Sequence, residues 1–152
     1  PENRVELKLG DFGWARAIPA LNSQPMADGA GSLWYAPPEL NPPMQVCDNP
    51  FLIGRSDMWS VGVVAYLLLV GHNPFHLANK GVPDKDVEKE VLRLVDLGQY
   101  DGESQRWLRL SADARDFVRS LMCISPAGRP SATDVLKHPY LVRLTSSFEE
   151  PI

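Results

Sequence analysis

The chain holds 152 residues, 44% of them hydrophobic and 22% charged, with a formal net charge of −4. That suffices for one ordinary domain with a core and is too apolar for a disordered tail. The acidic balance gives no broad basic field of the kind that binds nucleic acid or an acidic membrane surface.

Val5-Glu6-Leu7-Lys8-Leu9 alternates apolar and charged residues, the period-2 pattern of a half-buried β-strand. From Asp11 to about Phe51 periodicity is weak and prolines are frequent, which predicts a long loop, and loops of that length inside compact domains are usually functional. Four helical segments follow. Ser56-Asp57 is the expected N-cap of an apolar run to Val70, closed by Gly71 and Pro74. Thirteen residues from Met58 to Val70 fall short of the ~20 that span a bilayer, so the run predicts a buried core helix rather than a membrane segment. Asp84 or Asp86 opens a second helix with Val87, Val91, Leu94 and Val95 on one face and Gly98 as its stop. Ser111 opens a third, and Ser131-Ala132-Thr133-Asp134 forms a capping box for a last one ending at His138-Pro139. Residues 142–152 read as a polar tail that frays, after a domain covering 1–141.

Cys47 and Cys123 fall in no metal or redox spacing, which suits reduced thiols in an intracellular, cytoplasmic protein. His72, His76 and His138 stand near no cysteine or carboxylate cluster at ligand spacing, which argues against a structural zinc.

Asp11-Phe12-Gly13 closes the predicted strand. A carboxylate at a strand end can hold Mg²⁺, which takes one or two carboxylates together with phosphate oxygens. Phe12 would pack into the core, and Gly13 would permit backbone angles a side chain forbids. The plainer reading is a turn, since Asp and Gly after a strand are common turn residues. Further motifs decide between them: "GSLWYAPPEL" from Gly31, "SDMWSVGVVAYLLLVGHNPF" from Ser56 and "SPAGRPSATDVLKHPYL" from Ser125.

With these in order, the chain resembles the C-terminal lobe of a eukaryotic-type serine/threonine protein kinase from about Val5 to Leu141. "GHNPF", "LGQY", Trp107 and "HPYL" are similar to the calcium/calmodulin-dependent group, while Trp14 and Pro37-Pro38 look more like the Aurora kinases. The resemblance implies a mainly α lobe of an α+β fold, with a short strand before the Asp-Phe-Gly segment. It implies Asp11 as the catalytic Mg²⁺ ligand on ATP, with Phe12 and Gly13 completing the cofactor-binding segment. Ser23 and Ser32 fall in the activation and substrate-binding loop. Glu39 and Arg129 match a structural ion pair, and Asp57 matches an aspartate that holds the catalytic-loop backbone. Pro37 stands where the family has alanine and should push Ala36 towards an extended conformation.

No Gly-x-Gly-x-x-Gly loop, Val-Ala-Ile-Lys strand or His-Arg-Asp loop occurs in the 152 residues. The expectation is a C-lobe fragment, inactive alone, whose partners are a protein substrate and its own N-terminal lobe, with no nucleic acid and no membrane. The alternative is a pseudokinase or truncated kinase that acts as a binding scaffold.

Overall fold

The computed structural model describes residues 7–15, 32–40 and 50–146. Six α-helices cover most of the third segment: α1 Pro50–Val70, α2 Val87–Asp96, α3 Gln105–Arg109, α4 Ala112–Leu121, α5 Ala132–Val135 and α6 Pro139–Ser146. Short 3₁₀ turns link them, including Phe12–Trp14, Leu33–Tyr35 and Pro38–Leu40 before α1. The mainly α expectation is met.

The predicted strand is not. Leu7 to Gly10 take no regular structure, and Leu7 and Leu9 are exposed; Val5 and Glu6 lie outside the described residues. An alternating pattern makes a strand only where a neighbouring strand takes up its backbone hydrogen bonds, and among the described residues none does.

α1 begins six residues before the expected cap, at Pro50, where a residue without an N–H costs the first turn nothing. Its twenty-one residues span about 31 Å at 1.5 Å per residue, yet no described helix is long and apolar enough to cross a membrane. Trp59, Val63, Tyr66 and Val70 are fully buried. Trp59 stacks on Phe75 (6.2 Å between centroids) and Tyr66 on Trp107 (5.3 Å). The other face of α1 is apolar too, but Val61, Val64 and Leu68 lie exposed there at i, i+3 and i+7.

Side-chain caps open three of the remaining helices. Hydroxyl oxygens of Ser104, Ser111 and Ser131 accept the N–H groups of Trp107, Ala114 and Asp134, opening α3, α4 and α5. α2 buries Val91, Leu94 and Val95. Gly98 ends it with φ +61°, and the Gln99 N–H closes back on the Leu94 carbonyl at 2.8 Å. Residues 142–146 depart from the expected fraying: Pro139 starts a further helix that runs to Ser146, with Tyr140 and Leu141 packed on the core, while 147–152 lie outside the described residues.

α1 crosses α4 at Gly62. A Cβ there would come within 2.8 Å of Leu121 Cβ and Met122 Cγ, both close to α4's backbone. Gly62→Ala should therefore force the helices apart. The overpacking costs about 1–3 kcal/mol, partly offset by alanine's better helix propensity of roughly 1 kcal/mol. Urea unfolding of the pair should show the net loss; an unchanged midpoint would mean that the crossing has slack.

Candidate functional site

Asp11-Phe12-Gly13 lies before α1 with all three residues exposed. Asp11 holds φ +56° and ψ +65°, the only positive-φ residue other than glycine among those described. L-residues pay for that conformation, aspartate less than most because its short polar side chain suits it. This corrects the sequence reading twice. The aspartate adopts the unusual backbone angles and Gly13 does not; Phe12, expected in the core, is 68% exposed. The Asp11 carboxylate leans back over Gly13, where a Cβ would lie 3.5 Å from Asp11 Oδ1.

Ser32 to Leu40 forms a docked strap. Ser32 is exposed, and its hydroxyl caps nothing in the turn that follows. Ala36 is extended at φ −71° and ψ 136°, ahead of the buried Pro37. Ser60 Oγ donates to the Tyr35 carbonyl at 2.9 Å, and Asn73 Nδ2 to that of Trp34 at 3.2 Å. Ser23 falls outside the described residues.

Glu39 anchors the strap's end. Arg129 Nη1 and Nη2 donate to its Oε1 and Oε2 at 2.6 and 2.7 Å, a two-pronged pair. The other Arg129 donors reach the carbonyls of Cys123 (2.7 Å), Ile124 (2.9 Å) and Arg55 (3.0 Å), so all five of its N–H groups are used. Arg129 is 1% exposed, with its guanidinium 5.1 Å from the centre of the Trp59 ring. Arg55 returns a hydrogen bond to the Arg129 carbonyl. Ser56, expected to cap α1, donates instead to Glu39 Oε1 at 2.7 Å. Burial pushes the Glu39 carboxyl up, but the hydrogen bonds from Arg129 and Ser56 outweigh it and hold it below the usual 4.5.

Asp57 is exposed on α1, and among the described residues no group pairs with it. The fold thus joins Glu39 to Arg129 and leaves Asp11, Ser32 and Asp57 apart from that pair. Ser56 and Ser60 were missed as strap anchors; their i, i+4 spacing, which puts them on one helix face, was the available signal. Each histidine has a carboxylate neighbour that sequence spacing did not reveal. His138 Nε2 lies 3.2 Å from Asp116 Oδ2, and His72 and His76 both face Asp101.

Residues 2–141 match the family model described as protein kinase domain. The chain belongs to the protein kinase family. This kinase chain is 33% identical over 141 residues to a calcium and calcium/calmodulin-dependent serine/threonine-protein kinase of Lilium longiflorum, covering 93% of the chain and 24% of that relative. Among solved structures, the twitchin kinase fragment of C. elegans gives a TM-score of 0.59 at 29% identity, over 75% of this chain and 22% of that one. The Rad53 kinase domain with SCD2, in complex with AMPPNP, gives 0.56 at 29% identity, over 72% and 38%. The chain therefore spans about a quarter of the length of the curated kinase it matches.

Proposed function

We propose that this chain is the C-lobe part of a serine/threonine kinase that moves the γ-phosphate of ATP onto protein Ser or Thr hydroxyls. The observation that carries it is Asp11: an exposed carboxylate, held in a costly left-handed conformation at the head of the Asp-Phe-Gly segment of a kinase-family chain. One exposed carboxylate beside a glycine fits Mg²⁺, which takes few protein ligands and completes its shell with phosphate oxygens and water. When bound, that ion would neutralise charge on the phosphates. Asp11 would hold it, while Phe12 and Gly13 shape the approach. The complex of the similar Rad53 domain with AMPPNP supports a nucleotide here. Ser23 and Ser32 would lie along the path of the protein substrate, and Asp57 would steady the catalytic loop.

Phosphoryl transfer relies on positioning and charge stabilisation by parts acting together. The strand lysine and the catalytic aspartate are not among these 152 residues. The exposed Val61, Val64 and Leu68 stripe on α1 supports the rest of the kinase fold as its partner. The chain alone is therefore expected to transfer no labelled phosphate from Mg-ATP to a Ser/Thr peptide, whereas a longer protein that adds those parts should. Turnover by the chain alone would remove the dependence on them, and a silent longer protein would remove the enzyme reading.

A further inference from the structure

Three side chains remote in sequence converge beyond the end of α1. His72 and His76 lie in and just after the turn that follows the helix, and Asp101 lies in the loop between α2 and α3. His72 Nε2 is 3.7 Å and His76 Nε2 3.9 Å from the same oxygen, Asp101 Oδ2. The imidazole centroids are 4.0 Å apart, and one ligand atom from each residue lies within 4.8 Å of the others.

The surroundings aim these atoms at one another. Nδ1 of His72 and Nδ1 of His76 lie 3.2 and 3.1 Å from a single acceptor, the Asn73 carbonyl. That selects the Nδ1–H tautomer on both rings and leaves both Nε2 lone pairs facing Asp101. Asp101 Oδ1 accepts the backbone N–H groups of Glu103 (3.2 Å) and Ser104 (3.0 Å), which reserves Oδ2 for the rings. The Asp101 backbone is pinned too: its N–H donates to the Pro74 carbonyl at 3.0 Å, and its own carbonyl accepts the Tyr66 hydroxyl at 2.6 Å.

Two lone pairs and an anionic oxygen pointed together repel unless a cation lies between them. A proton shared between one ring and the carboxylate leaves the other ring's lone pair unused. A metal ion uses all three. With bonds of about 2.0–2.1 Å, tetrahedral ligands sit roughly 3.3 Å apart, so each Nε2 needs to close on Asp101 Oδ2 by about half an ångström, and the two rings, whose ligand atoms lie within 4.8 Å, by at most about 1.5 Å on each other. The side chains keep 13–32% exposure, which leaves room to do so and a path for an ion to enter.

We infer that His72, His76 and Asp101 form a site for a borderline divalent transition ion of the Zn²⁺ class, with water completing its shell. Two imidazoles and one carboxylate, each histidine backed by a carbonyl, suit such an ion and not Mg²⁺ or Ca²⁺, which prefer all-oxygen shells. The site is separate from Asp11. It clips the turn after α1 to the loop before α3, so binding stabilises the folded chain by mass action.

The test is a titration of the metal-stripped chain with Zn²⁺, followed by calorimetry and thermal unfolding in a Cys47→Ser, Cys123→Ser background that removes both competing thiols. One Zn²⁺ per chain and a raised melting temperature are expected, with no rise in Mg²⁺ at equal concentration. His76→Gln and Asp101→Asn should each weaken Zn²⁺ binding by at least about 10–100-fold, the loss seen even for outer-shell changes. Asparagine at 101 keeps the acceptor for the Glu103 and Ser104 N–H groups, so its metal-free melting temperature should stay near the parent's. Co²⁺ reads the ligands without any substitution: its ligand-field bands and paramagnetic shifts should fall on two histidines, His72 and His76. Absent saturable binding, binding unchanged in both variants, or shifted imidazole signals from His138 in place of His72 and His76 would each overturn the site.

Discussion

Arg129→Ala is expected to cost the folded chain about 3–5 kcal/mol, the range seen when one partner of a buried ion pair is removed. The loss has three sources. Glu39 is left in its partly buried place without the paired charge that makes ionisation tolerable there. The carbonyls of Cys123, Ile124 and Arg55 lose a charged donor at once. The Trp59 ring loses the cation lying over it. Lysine should not rescue the variant, because a single ammonium cannot span both carboxylate oxygens and three carbonyls. Equilibrium urea unfolding reads the cost directly, and a loss under about 1 kcal/mol would show that water replaces the guanidinium cheaply.

Glu39→Gln offers a gentler probe of the same pair through pH. The Glu39 carboxyl sits below its usual 4.5 in the folded chain, so folding favours its ionised form. Its contribution is complete above about pH 4.5 and disappears as pH falls through the lower, folded value. The glutamine variant should be less stable at neutral pH, because Arg129 then has a neutral partner. It should also lose less stability than the parent between neutral pH and strong acid. Parallel pH profiles for the two would mean that the pair is not what holds the carboxyl down.

Local chemistry was legible in the sequence, and long-range pairing was legible only where a family resemblance supplied it. Ser111 and Ser131 announced α4 and α5, and Gly98 the end of α2, because caps and left-handed stops act within a few residues. Ser56 misled by the same rule: a serine before an apolar run looks like a cap, but this one serves Glu39, seventeen residues earlier. α3, five residues long, was too short for its periodicity to show, and Ser104 was its one signal. Residues 142–146 of α6 look like a tail because Arg143, Thr145 and Ser146 break up the apolar pattern; Tyr140 and Leu141, just before them, pack on the core and carry the helix onward. Glu39 and Arg129 lie ninety residues apart, and nothing in either neighbourhood predicts the other. Asp101 illustrates the opposite failure, a carboxylate that no spacing rule connects to His72 and His76.

Asp11→Asn should separate activity from stability as cleanly as Arg129→Ala joins them. In a longer protein that carries the remaining catalytic parts, the loss in turnover should be on the order of 10²–10³-fold, comparable with removing one charge-stabilising group from an active site. The same substitution should shift unfolding by no more than about 0.5 kcal/mol, as is usual for surface positions away from special features. Asn is the right probe because Asp11 stands at φ +56°, a region asparagine tolerates as readily as aspartate. Alanine there would add backbone strain of roughly 1–2 kcal/mol and blur the comparison. Raising Mg²⁺ should recover part of the lost activity if the carboxylate holds the ion, since a weakened site fills at higher concentration. Activity that stays lost at every Mg²⁺ concentration would assign Asp11 a positioning role instead, and full activity in the variant would free it from the reaction altogether.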